Sequence, residues 1–310
     1  MAANVGDILA SRDSFPATYT ARDLITYALG IGCSYYKTPE QASTDLRFTS
    51  ELDARFAAFP LYPVVLLFKG DAHDVVDFPP PSMSTIPNGM PDFNPGMTLH
   101  GEQSIEVHRP LPATGGRVTC HRRVLSFHPK GKSGALMETE FKIVDEAGEP
   151  LTTLVMGSFY RGLDASFQGQ GRTPPRRPTM PARTPDVVLA LPTSLAQAQL
   201  YRLSGDYNPL HVDPDFAASA GFPQPILHGL CTMGVAARAL LQAYGHNESD
   251  SLRKMSVRFS KPTFPGETLE TRMWLTSPGH VAFQTRVVER DAIVLDGGEF
   301  AFATPATPRL

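Results

Sequence analysis

Three short patterns occur twice in this chain of 310 residues, in the same order each time. Tyr27-Ala28-Leu29-Gly30 closes the helix-like stretch DLITYALG, and Tyr201-Arg202-Leu203-Ser204-Gly205 closes SLAQAQLYRLSG. Phe59-Pro60-Leu61-Tyr62-Pro63 is answered by Phe222-Pro223-Gln224-Pro225, each opening a short apolar stretch. Ile105-Glu106-Val107-His108-Arg109-Pro110-Leu111-Pro112 is answered by Val257-Arg258-Phe259-Ser260-Lys261-Pro262-Thr263-Phe264-Pro265. One such match arises by chance; three in a shared order argue for duplication of a single unit. The length suits two units of about 150 residues each.

Each copy reads as a helix, a loop, a central helix and then antiparallel strands. Residues 134–160 alternate as a hairpin with Glu146-Ala147-Gly148-Glu149 at its turn. Residues 252–304 contain four further strand-like runs. His228 to Tyr244, HGLCTMGVAARALLQAY, is apolar or small around most of its circumference, with Pro225 ahead and Gly245 behind. That is the pattern of a helix wrapped by a curved sheet. Between the copies, residues 169–185 (GQGRTPPRRPTMPARTP) carry repeated prolines that block helix and central strand, and arginines expected to keep the segment solvated. The expected organisation is α+β: an N-terminal unit over 1–168, a Pro/Arg-rich linker over 169–185 and a C-terminal unit over 186–310.

The copies differ where chemistry would sit. The second carries Gly205-Asp206-Tyr207-Asn208-Pro209-Leu210-His211; the first has Gly30-Ile31-Gly32-Cys33-Ser34-Tyr35. His228-Gly229 is replaced in the first copy by apolar residues near Leu66 and Leu67. One active site, built mainly by the second copy, is the expectation, with the first copy adapted to another task.

Asp206 and His211 can exchange protons near neutral pH, and a positioned pair of this kind contributes roughly 10²–10⁴-fold to a rate. The amide of Asn208 both donates and accepts, so it can orient a water. Gly229 lies in the first turn of the central helix, where backbone N–H groups are free and the dipole favours negative charge, an oxyanion site. Taken singly, Asp206-Tyr207-Asn208-Pro209 is also what a plain turn requires, and a histidine is often only structural. It is the combination with His228-Gly229 that favours chemistry. Asp213-Pro214 reads as a helix cap, Met233 as core, and His228 is left without an assigned role.

Other classes are disfavoured. A net charge of −3 offers no nucleic-acid surface. No apolar run reaches the roughly 18 residues of a membrane span. The first residues lack a secretory pattern. Three scattered cysteines, Cys33, Cys120 and Cys231, fit reduced thiols rather than a disulfide framework, and no metal or redox cofactor site is evident.

From Tyr201 to His211 and from Gly221 to Gly229, the chain closely resembles the 2-enoyl-CoA hydratase 2 motif of the MaoC-like dehydratase family. His100-Gly101-Glu102-Gln103, Arg109-Pro110-Leu111-Pro112 and Phe259-Ser260-Lys261-Pro262 extend the likeness over nearly the whole chain. The resemblance implies a double hot-dog fold, R-specific hydration of trans-2-enoyl-CoA in fatty-acid β-oxidation, and a hydro-lyase needing no cofactor beyond the CoA of its substrate. It implies catalytic roles for Asp206, His211, Asn208 and Gly229. It implies acyl-CoA contacts at His100, Gly101, Lys130, Tyr207, Pro209, Leu210 and Phe259, and a homodimer. Loss of polar residues from the first copy would make room for long or branched acyl chains, with the Pro-rich stretch Phe78 to Met97 lining or covering them. The alternatives are a 3-hydroxyacyl-thioester dehydratase of fatty-acid or polyketide synthesis, a non-catalytic acyl-CoA binding module, and a thioesterase on a similar fold. Pro308-Arg309-Leu310 is similar to a Ser-Lys-Leu peroxisomal address; without that address the expected location is the cytoplasm.

Overall fold

The structure is a computed structural model that describes residues 3–34 and 45–303, so Tyr35 and the tripeptide Pro308-Arg309-Leu310 lie outside the described residues. In chain order the N-terminal half contains helix α1 (Val5–Ala10), strand β1 (Arg12–Tyr19), helix α2 (Ala21–Gly30) and the short helix α3 (Pro63–Lys69). Strands β2 (Thr98–Val107), β3 (Gly116–Pro129), β4 (Gly134–Val144), β5 (Pro150–Arg161) and the two-residue β6 (Gln170–Gly171) follow. The C-terminal half contains β7 (Val187–Pro192), helices α4 (Gln197–Arg202), α5 (Pro214–Ser219) and α6 (Gly229–Tyr244), then β8 (Leu252–Phe259), β9 (Thr268–Ser277), β10 (His280–Val287) and β11 (Ala292–Phe302). Local chemistry sets the ends of the helices. Thr20 and Asp23 form a reciprocal capping box on α2, and Asp213 caps α5 as expected.

The strands form one antiparallel sheet in the order β1-β3-β4-β5-β2-β8-β11-β10-β9-β7, with β6 attached to β3. The order repeats with mirror sense on either side of the β2–β8 pair. Ser104 lies opposite Ser256 in that pair, and the repeat that equates Ile105 with Val257 equates these two serines as well. The two units of the double hot-dog fold are thus related by a local twofold passing between Ser104 and Ser256.

Helix α6 is the larger central helix. Every residue from Leu230 to Leu241 is buried, which explains its apolar circumference. The one charge among them, Arg238, is paired with Asp45 at 3.1 Å, both almost fully buried. An ion pair taken out of water survives only when its partner is in place. The counterpart α3 has only seven residues, all buried. It begins at Pro63, and proline fixes the first helical φ and so sets this start.

One expectation changes: the arginines of 169–185 are not all solvated, since Arg172 pairs with Glu138 and Arg177 with Glu102, each at 2.8 Å, so the segment is laid against the sheet. The carboxylates belong to the sheet face opposite Ile105 and Val107, where a buried or partly buried acid needs a cation. Part of the Pro-rich stretch 78–97 packs on the sheet. Its Met90 and Phe93 join Val5 and Ile8 of α1 over Val124, Phe127 and Tyr160, forming a second, smaller core. The three cysteines are free and buried.

Candidate active site

The loop after α4 turns on Gly205, whose φ of +128° is open to glycine alone in practice. A Cβ there would lie within 2.8 Å of backbone atoms of Lys69, the last residue of α3. This loop of the second unit is therefore backed by the first unit. Asn208 accepts a hydrogen bond from the Leu210 N–H at 3.0 Å and caps the tight turn Pro209–His211, while its own N–H donates to Asp206 Oδ1 at 3.3 Å. The residues do form a turn, as their types require, and that turn is what returns His211 to Asp206.

The start of α6 completes the arrangement. The Ile226 carbonyl accepts from His211 Nδ1 at 2.8 Å, so Nδ1 carries the proton and Nε2 keeps its lone pair. The ring of His228 stacks on that of His211, with centroids 3.6 Å apart and planes 27° apart. His228 Nε2 donates to the main-chain carbonyl of Asp206 at 3.1 Å. A carboxylate oxygen of Asp206 and one ring nitrogen from each histidine lie within 4.8 Å of one another. All three side chains are buried. Burial pushes the Asp206 carboxyl up, against the pull of His211. Burial also pushes His211 down, against the Asp206 charge. The two shifts bring the pair toward one another, which makes a proton cheap to exchange between them.

Gly229 is the first residue of α6, where an N–H has no acceptor within the helix. A Cβ on it would meet the Phe259 ring at 3.2–3.4 Å. His100 lies edge-on to the same ring, at 5.0 Å between centroids. It bonds Gln103 through Nε2 at 3.0 Å, and burial lowers its pKa to about 4. The register between β2 and β5 slips by one residue between His100 and Glu102. This bulge at Gly101 turns His100 to the face carrying Gln103 and Ile105.

The structure thus gathers Asp206, Asn208, His211, Gly229, Phe259 and His100. Pro209 and Leu210 build the turn, and Tyr207 packs beneath the Arg202 guanidinium at 4.4 Å. Lys130 is not in the cluster. It is exposed beyond the end of β3, with β4 and β5 lying between that strand and β2. Sequence reasoning missed Gln103 and the double contact of His228; the signal was the histidine directly before Gly229. Asp206, His211 and His228 also have the residue types of a metal site. The nearly parallel rings, however, send their in-plane lone pairs side by side, whereas metal ligands converge on one point.

Comparison with known proteins agrees with this geometry. Residues 177–297 match the MaoC like domain, and residues 17–162 match the MFE-2 hydratase 2 N-terminal domain. A 3-hydroxyacyl-thioester dehydratase Y of Mycobacterium tuberculosis is 38% identical over 96% of this chain and 98% of its own length. The chain belongs to the MaoC-like dehydratase family. Another MaoC-like relative, peroxisomal multifunctional enzyme type 2 of Mus musculus, is 38% identical over 94% of this chain, which spans 37% of that protein's length. The crystal structure of a MaoC-like dehydratase from Phytophthora capsici superposes with a TM-score of 0.92 at 51% identity, covering 99% of this chain and 100% of that one. In this MaoC-like chain no helix among the described residues is long and apolar enough to cross a membrane.

Proposed function

We propose that the chain adds water across the trans-2 double bond of an enoyl-CoA to give (3R)-3-hydroxyacyl-CoA in fatty-acid β-oxidation. The observation that carries this reading is the buried Asp206–His211 pair at the start of a helix whose first amide, that of Gly229, is unengaged within the helix. A thioester carbonyl directed at Gly229 would gain charge on its oxygen as water attacks C3, and the helix start favours that charge. The Asp206 carboxylate and the bare Nε2 of His211 share the water. One takes its proton as the C3–O bond forms, and the pair returns a proton to C2. Since the Asn208 oxygen is held by Leu210, its NH₂ is the group left to position the water. No redox or metal step is needed for this balance.

The remaining assignments rest on the same reading. Phe259 and His100 would flank the thioester, with Gly101 setting the bulge. Tyr207, Pro209 and Leu210 would shape the pocket wall, and the distant Lys130 would meet the phosphate end of CoA. The name of the mouse relative and the Pro308-Arg309-Leu310 terminus support a peroxisomal location, and a homodimer is the proposed assembly. Removing the last three residues of a fluorescent fusion tests the address; light scattering tests the dimer.

Purified protein given crotonyl-CoA and trans-2-decenoyl-CoA should form the R-hydroxy product, read by chiral chromatography. The S product would overturn the assignment. The mycobacterial relative, matched over nearly its whole length, favours a second reading: the same groups run in reverse, dehydrating a carrier-linked 3-hydroxyacyl thioester. A preference for carrier-linked over CoA-linked substrate would select it. Binding without turnover, or release of free CoA, would point to the binding-module and thioesterase alternatives.

A further inference from the structure

Two of the four residues leading into α6, Ile226 and His228, make contacts with the acid/base pair. The Ile226 carbonyl holds His211 Nδ1, and the Gly229 amide faces outward from the helix start. Between them, His228 is only 1% exposed and touches both members of the pair at once. Its ring lies flat on His211, and its Nε2 donates to the backbone of Asp206. On its other side it packs against Tyr201, at 4.9 Å between centroids. Its Nδ1 is buried and has no hydrogen-bond partner. A merely structural helix cap would use a side-chain atom on the helix's own first amides, and His228 makes no such bond.

We propose that His228 is a positioning residue for the hydration reaction: a neutral imidazole clamped between Tyr201 and His211 that holds the His211 ring plane and the Asp206 backbone in register. This rests on the hydratase reading above. Nε2 donates to a carbonyl and the buried Nδ1 has no acceptor for a second proton, so the ring is the neutral Nε2–H tautomer and carries no charge beside His211. A cationic ring there would repel the imidazolium that forms when His211 takes up a proton. The stack allows the His211 ring little rotation about the line from Nδ1 to Ile226. The tether on Asp206 stops the carboxylate from drifting when the loop moves. Neither contact reaches the substrate, so loss of His228 should act on turnover more than on binding.

Two variants separate the contacts. His228→Phe keeps a flat ring and deletes the donor; His228→Gln keeps an amide donor near the position of Nε2 and deletes the stack. Both are to be compared with wild type on crotonyl-CoA, with Tm measured in parallel. Misplacement of a catalytic group by about 1 Å costs on the order of 10²-fold. We expect kcat to fall about 10- to 100-fold in each variant while KM stays within about threefold. The acid limb of the kcat–pH profile should shift, because His228 touches both Asp206 and His211. If wild type hydrates the substrate and both variants are folded with kcat and pH limb unchanged, this proposal is overturned and the hydratase reading stands. If wild type itself gives no hydration, the hydratase reading fails. A variant with lowered Tm but unchanged kcat and pH limb would mark His228 as purely structural and equally overturn the proposal. As a check on fold loss, Thr232→Val removes a hydrogen bond to the His228 carbonyl at 3.2 Å without altering either ring contact, and should leave the pH limb in place.

Discussion

The ring of Phe259 occupies the space that any side chain at Gly229 would need, 3.2–3.4 Å from the site of a Cβ. Gly229→Ala therefore either moves the ring or moves the helix start, and both displace the amide proposed as the oxyanion donor. Hydration is expected to fall about 10- to 100-fold, short of the ~10²–10³ lost when a donor is deleted outright. Adding Phe259→Leu to this variant should restore part of kcat. A double variant no better than Gly229→Ala alone would show that the ring is not the obstacle.

Asp206→Asn and His211→Ala should each lower kcat by roughly 10²–10⁴-fold. Because the two groups share one water, the double variant should be little worse than either single one. Losses that multiply would mean that they act independently. In wild type, kcat should decline as pH falls through the raised pKa of Asp206, because protonation removes the carboxylate that shares the water.

Stability should fall with acidification in a defined window. Burial holds His228 well below the ordinary imidazole value, lowers His211, and brings His100 to about 4. In the unfolded chain the same rings titrate near ~6.5. Between those values the unfolded state binds more protons, so stability present above about pH 6.5 is lost as pH drops. Each such ring contributes a slope of up to about 1.4 kcal/mol per pH unit. The raised pKa values of Asp206 and Asp45 work in the opposite sense, two groups against three. Urea midpoints measured from about pH 7.5 to pH 5 should decrease; a flat series would show that the rings titrate normally.

The buried pair Asp45–Arg238 should be sensitive to removal of one member. Asp45→Asn removes the carboxylate paired with a guanidinium that is only 3% exposed, at a cost of about 3–5 kcal/mol. For a chain of this size the drop in Tm is on the order of 10 °C. A thermal melt within about 2 °C of wild type would contradict it.

Much of this architecture was legible in the residues. The hairpin at 134–160 and the four C-terminal strands are found as read, because alternation over a half-buried sheet is a strong local signal. The strands β1, β2, β3 and β7 were not read. Of these β1 and β7 lie at sheet edges, and β1 carries Pro16, which breaks the strand pattern in sequence. The loop from Asp206 to His211 stood out because the sister copy lacks its polar groups. Gln103 and the stacking of His228 were hidden, since both depend on contacts across 3 to 22 residues that only the bulge at Gly101 and the folded helix start create.

The facing of Ser104 and Ser256 at the middle of the sheet has a consequence for how the chain can be divided. Were the gene cut between its halves, each product would bare a long run of backbone donors and acceptors along β2 or β8. Such raw margins seek other chains, so severed halves would reassociate or clump rather than persist as soluble monomers. Whatever freedom duplication gave the two copies to drift apart in chemistry, their shared seam binds them to melt and to persist as one body.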